Sequence, residues 1–462
     1  MKKQASLDMT QGSPTKLLIL FAIPMLIGGV FQLMYNMVDT IVVGRFVSID
    51  ALAAIGAASS TSMFIMLMGN GLTNGLSVIV SQAEGAKRED LLKKAVSHAV
   101  YLVLAGGVVL GLASFFGARP MMKLLGAPDN IIDQSVTYIQ ITGGLTIAVQ
   151  AANGLTAVLR AIGDSKTPLY FLIFGCILNI GLDLLFVLAF HGGVAGVAWA
   201  TVLAQAISAV LCAAYMAKKH PRLMPDRAAW RFDNAMIREY LRIGLPMCAQ
   251  SAVLCVGMFV ITAVINSFGS DIVAAYTVGG KVEQLATVSF SNVAFSFSVY
   301  AGQNFGAKKY SRIKDGLKKG MLIVGGLALV STAIMLIFAR PLALIFMEEP
   351  SDYVLDASVS MIRVEAACYV ALGAIWTVNS ALRGIGAVKI TLVSSIVELA
   401  SKIGISVLLP LAIGYVGIWL AAPIGWVLGL VPSLIFLALW FKDPEGFGRK
   451  KAPGAPDGGS AA

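Results

Sequence analysis

The chain has 462 residues, of which 57% are hydrophobic and only 13% charged, against roughly a quarter charged in ordinary globular proteins. With a mean hydropathy of +0.81 it carries more apolar surface than a water-soluble fold could hide, so a string of soluble domains is excluded. The net charge of +10 is therefore read through membrane topology, and nucleic acid is not an expected partner.

Apolar runs of about twenty residues, the length that crosses a bilayer, recur along the whole chain. They predict an all-α polytopic membrane protein with twelve transmembrane helices, over 17–44, 51–79, 95–117, 134–158, 168–190, 193–217, 240–267, 272–299, 320–346, 352–380, 388–413 and 415–441. Residues 1–16 read as a cytoplasmic N-terminal segment with no cleavable signal. An N-terminal six-helix bundle over 17–217, a cytoplasmic linker over 218–239 and a C-terminal six-helix bundle over 240–441 follow, with a disordered cytoplasmic tail over 442–462. Of the 35 Lys and Arg, 28 flank the termini and even-numbered connections and 4 the odd-numbered ones. That bias puts both termini in the cytoplasm and predicts a multi-pass protein of the plasma (inner) membrane.

The chain also repeats itself. Gln82-Ala83-Glu84-Gly85-Ala86-Lys87-Arg88 returns as Gln303-Asn304-Phe305-Gly306-Ala307-Lys308-Lys309, and Leu159-Arg160-Ala161-Ile162-Gly163 as Leu382-Arg383-Gly384-Ile385-Gly386. Arg119-Pro120 matches Arg340-Pro341, and Pro24 matches Pro246, all at offsets of 221 to 223. Six spans per repeat is an even number, so the two halves insert in the same sense about a pseudo-two-fold axis along the membrane normal. Two such bundles around a cleft suit a transporter that rocks one half against the other, and one chain is expected to form a complete path.

Ionisable groups inside spans are costly and mark function by default. Asp39, Asp183 and Thr201 come to one level, roughly 8–12 Å below the outer edge at 1.5 Å per residue. Asn179, four residues before Asp183, shares its helix face, and Tyr138 reaches a similar depth. Two carboxylates with an amide, a hydroxyl and a phenol could cage Na⁺ or exchange protons; the plainer alternative is that each acid hydrogen-bonds a neighbouring helix. In the second half Glu398 and Lys402 are spaced for an intrahelical ion pair. Glu283 and Glu365 are secondary candidates with Glu398, and the partners of Lys281 and Glu283 are expected on other helices. Five cysteines in apolar segments and three scattered histidines carry neither a disulfide framework nor a metal-ligand spacing.

On these residues the sequence resembles the multidrug and toxic compound extrusion (MATE) family from about Ser13 to Phe441. The likeness rests on Pro24…Gln32…Asp39-Thr40-Ile41-Val42-Val43-Gly44, on Gln82…Gly85-Ala86, on Leu159 to Asp164, and on Asn179-Ile180-Gly181-Leu182-Asp183 followed by Gly196. It implies twelve helices in two bundles and efflux of amphiphilic, often cationic, small molecules in exchange for H⁺ or Na⁺, with no cofactor and no catalytic residues. It implies a coupling site at Asp39, Asn179, Asp183 and Thr201, with Tyr138 as an outer member, and a substrate cleft lined by Gln32, Tyr35, Asn36 and Asn153. Some members carry an acid in span seven; here that span has none beyond Glu239 at its rim, which counts against a second ion site.

Other readings stand further off. A lipid-linked oligosaccharide flippase should place several cations in the cleft, and only Lys281, Arg363 and Lys402 lie at depth. A major facilitator protein would carry a different basic turn after span two. An intramembrane enzyme lacks a nucleophile–base or His-rich set, and a primary pump would need a GxxxxGK[ST] loop.

Overall fold

The computed structural model describes residues 6–347 and 351–445; the side chains of Leu33, Asn36, Met37 and Thr40 are not among the described groups. The expected tail falls mostly beyond Glu445, outside the described residues. Among those described the chain is helical throughout. The first half comprises α1 (Pro14–Phe46), α2 (Ile49–Gly85), α3 (Glu89–Leu124), α4 (Asp129–Thr142), α5 (Thr146–Ala161), α6 (Lys166–Leu184) and α7 (Gly193–Lys219). The second comprises α8 (Asn234–Asn266), α9 (Ser270–Gly306), α10 (Tyr310–Leu344), α11 (Asp352–Ala366), α12 (Tyr369–Gly384), α13 (Val388–Leu408), the single turn α14 (Pro410–Ile413) and α15 (Val416–Trp440).

Among the described residues nine helices are long and apolar enough to cross a membrane singly, and α4–α5 and α11–α12 qualify as bent pairs. With the 37-residue α9, whose polar side chains Lys281, Glu283 and Asn292 make it less apolar, they account for twelve crossings. The continuous spans expected over 134–158 and 352–380 are broken instead, by 44° and 50°. The first break falls at Gly143-Gly144, and a Cβ on Gly144 would sit 2.1 Å from Gln140 O, so only glycine permits it. At the second, the Ala366 carbonyl accepts from the Thr332 hydroxyl of α10 at 2.6 Å. That bond satisfies a backbone group within the membrane, where water cannot.

The segment between the halves is 220–233, because α7 runs to Lys219 and α8 begins at Asn234. It is fastened to α3: Ser97 Oγ donates to Ala229 O at 2.6 Å, Tyr101 Oη to Trp230 O at 2.8 Å, and Asp233 N to His98 Nε2 at 3.0 Å.

The halves meet over the ends that carry the termini and the basic connections. Tyr240, Ile243 and Met247 of α8 join the core of α2 and α3, while Leu18, Phe21 and Met25 of α1 join that of α9 and α12. Glycine brings α2 and α8 into backbone contact: a Cβ on Gly75 would lie 2.9 Å from Gly244 Cα, and one on Gly71 2.9 Å from Cys248 Cα. Higher on α9, beyond Val288 and Asn292, which touch Gly29, Leu285 and Lys281 continue the same face and are exposed. Ser60, on the face of α2 that carries Gly71 and Gly75, is exposed as well. The two bundles thus diverge into a cleft that opens at the end opposite the termini.

Candidate ion and substrate site

Three helices of the first half converge on Asp39. It sits on α1 two turns below the outer end, facing Asp183 of α6 closely enough for the carboxyl groups to share a hydrogen bond. Asp183 is wholly buried and Asn179 nearly so. With its nitrogen toward the carboxylate, the Asn179 amide donates to Asp183 Oδ2 at 3.0 Å and accepts from Thr201 N at 3.2 Å. Thr201 on α7 donates to Val197 O at 3.2 Å and lies beside the Tyr35 hydroxyl. Tyr138, on α4, packs between the Val43–Val187 and Ile65–Ile139 clusters, near both aspartates.

The local backbone is shaped for this. Immediately after Asp183 the helix widens into a π-turn over Leu185–Ala189, a feature frequent at functional sites because it re-aims the side chains around it. Tyr35 lies one helical turn before Asp39, on the same face. Expected as a cleft residue, it reaches the carboxylate cluster; the i, i+4 spacing to Asp39 was the signal in the sequence. Of the other cleft candidates, Gln32 is exposed and Asn153 half-buried; the Asn36 side chain lies outside the described residues.

Among the described residues neither aspartate has a Lys, Arg or His within ion-pair distance, and Asp39 Oδ1 and Asp183 Oδ1 are buried without a hydrogen-bond partner. Such an arrangement is incomplete as it stands. Two carboxylates in a low dielectric cannot both stay charged without a cation: they take up a proton or a metal ion. The donors are all hard oxygens, the set that suits Na⁺ and not a thiophilic metal. Among the described residues no group of three His, Cys, Asp or Glu is placed to hold a metal.

The second half is built differently. Glu365 at the α11–α12 bend is buried and lies within hydrogen-bonding reach of Glu283 of α9, so the sequence candidates meet across helices. Here a cation is supplied: Lys402 of α13 lies close to both and pairs with Glu398 at 2.7 Å, its ammonium 5.8 Å from the Trp426 ring centroid. Lys281 points away, over the Phe346 ring.

Comparison with known proteins identifies the family and the fold. A family model described as MatE matches residues 24–185 and again 246–408, one match to each half. The chain is 28% identical to the probable multidrug resistance protein YpnP of Bacillus subtilis, over 85% of this chain and 87% of that one. It is 26% identical to the probable multidrug resistance protein YoeA of the same organism, over 93% and 90%. A MOP superfamily transporter from Pyrococcus furiosus superposes with a TM-score of 0.89 at 21% identity, covering 96% of this chain and all of that one, a likeness of fold.

Proposed function

The chain belongs to the multidrug and toxic compound extrusion family of membrane transporters, and we propose from that premise that it is a secondary active exporter of lipophilic, often cationic, small molecules. It is not an enzyme. Export runs by antiport with H⁺ or Na⁺ in the plasma membrane, with the basic, terminus-bearing end in the cytoplasm and one chain forming the whole path.

The observation that carries this reading is the Asp39–Asp183 pair, in which Asp183 is wholly buried and, among the described residues, neither carboxyl has a basic side chain within ion-pair distance. With the cleft open outward, the pair takes up H⁺ or Na⁺ from outside, held by Asn179, Thr201, Tyr35 and Tyr138. Occupation neutralises the pair, which lowers the affinity of the adjoining cleft for a cationic substrate and favours its release. Return of the site to the cytoplasmic side frees the ion, and the restored negative charge draws in the next substrate. Pro24 removes a ladder bond from α1, so that helix can flex as the site fills. Glu283, Glu365 and Glu398 are secondary because that cluster already holds a cation, Lys402.

Reconstituted vesicles test this directly. Dye efflux should be driven by an imposed ΔpH or Na⁺ gradient, whichever ion couples, and Asp39→Asn should abolish it while the protein still folds. Undiminished efflux from both Asp39→Asn and Asp183→Asn would sink the mechanism.

A further inference from the structure

We propose that the two duplicated motifs form a reciprocal inner gate, with Gln82 and Gln303 as its positioning residues, and that residues 7–12 lock only one side of it. The proposal deepens the alternating-access reading and rests on it. The repeats interlock crosswise. Gln82 Nε2 donates to Gly384 O of the other half at 2.9 Å, and Gln303 Nε2 donates to Ala161 O at 2.8 Å. Ala161 and Gly384 are the matching residues of the second repeated motif, and each carbonyl lies in the last turn of its helix, where no intrahelical donor reaches it.

The backbone contacts are reciprocal as well. A Cβ on Gly85 would lie 1.9 Å from Gln303 O, and one on Gly306 1.9 Å from Gln82 O. Glycine at both positions therefore lets the ends of α2 and α9 seat against each other. Opening the molecule toward the basic end requires breaking both glutamine bonds together.

The N-terminal segment makes the two sides unequal: it reaches the Gln82 motif through the solvent-exposed Asp8–Lys87 ion pair at 3.4 Å, and its buried bonds go to the Gln303 side. Leu7 N donates to Gly163 O of the first half at 3.0 Å, while Met9, wholly buried, ties into the second. Met9 N donates to Gln303 Oε1 at 3.0 Å, and Met9 O accepts from Asn304 Nδ2 at 2.9 Å. Lys309 and Arg312 hold the carbonyls of Thr10 and Gly12 at 2.9 and 3.0 Å. The Gln303 amide is thus fixed at both its oxygen and its nitrogen, so Gln303 should be the stronger latch.

Hydrogen exchange on the full-length protein in nanodiscs, without ion gradient or substrate, tests the gate. Gln303→Ala should raise exchange about tenfold at 82–88 and 303–309, the scale of one lost hydrogen bond. It should at the same time lower exchange at the outer ends of α1, α2 and α8, because the swing closes the cleft. A merely structural loss raises both ends, and that result, or no change at either, overturns the proposal. Gln303→Met, nearly isosteric, serves if the alanine variant does not fold. Deleting residues 7–12 should reproduce the Gln303→Ala shift, add nothing to it, and add fully to Gln82→Ala; additivity with Gln303→Ala would refute the one-sided lock. A swing seen in a protein that moves no dye would leave the gate standing and sink the exporter reading, whereas efflux without a swing would do the reverse.

Discussion

Gly69 of α2 is the seat of Gln150 of α5: a Cβ at position 69 would lie 1.7 Å from Gln150 Nε2, and the glutamine is almost wholly buried. Gly69→Ala must displace the amide from a closed site. A loss of about 1–3 kcal/mol in stability is expected, read by thermal unfolding in detergent. Gln150→Ala in the same chain should recover much of it; a second variant no more stable than Gly69→Ala would place the strain elsewhere.

Tyr35 and Thr201 touch the proposed ion site without carrying charge. Tyr35→Phe or Thr201→Val should leave maximal efflux near normal and raise the ion concentration for half-maximal rate by roughly tenfold, the equivalent of one hydrogen bond. Equal losses in rate at saturating ion would argue that these hydroxyls act in the conformational step.

In the second bundle one cation faces three carboxyls, and its ion pair is with Glu398 at 2.7 Å. Lys402→Met leaves Glu398 without its partner and the cluster without its cation, and a loss of about 3–5 kcal/mol is expected for an orphaned buried charge. Adding Glu398→Gln should restore part of it, a coupling that a double-mutant cycle measures. A Lys402→Met protein that melts with the parent would mean the three carboxyls are neutral without it.

Asp164, in the connection between α5 and α6, accepts from Lys166 N, Thr167 N and the Thr167 hydroxyl at 3.1, 3.0 and 2.6 Å. Burial alone would raise its pKa, but the nearby His220 and the bonds from Thr167 outweigh that and hold it below the ordinary 3.8. A lowered folded-state pKa contributes stability that is full above the unfolded value, about 3.9, and fades as the pH falls through the folded one. Asp164→Asn should therefore cost about 1–2 kcal/mol at pH 7, and its melting temperature should converge on the parent's only once the pH has fallen below the folded-state pKa, itself under 3.8. A gap that persists there would assign the effect to packing.

Much of this was legible in the sequence because it depends on counting. The offset of 221 to 223 marks the two halves, and rise per residue brings Asp39, Asn179, Asp183, Thr201 and Tyr138 to one level. What helix periodicity does not encode is which helix a side chain meets. Glu283 and Glu365 lie 82 positions apart, and nothing local announces their meeting or the approach of Lys402. The bend at Ala367-Cys368 carries no glycine or proline signal; the hydroxyl that supports it comes from Thr332 on another helix. The repeated glutamine turns stood out as repetition, but the crossing of their bonds to the opposite half needed the three-dimensional arrangement.

The glycine contact between α2 and α8 has a mechanical consequence. Gly71 and Gly75 put backbone against backbone between the clasped ends and the open cleft, where interlocked side chains would act as teeth. Smooth cylinders in contact can roll, and teeth would have to disengage first. In the proposed cycle the fulcrum is thus set by atoms the residues do not have, and a single methyl group added there should stiffen the lever without touching either of its working ends.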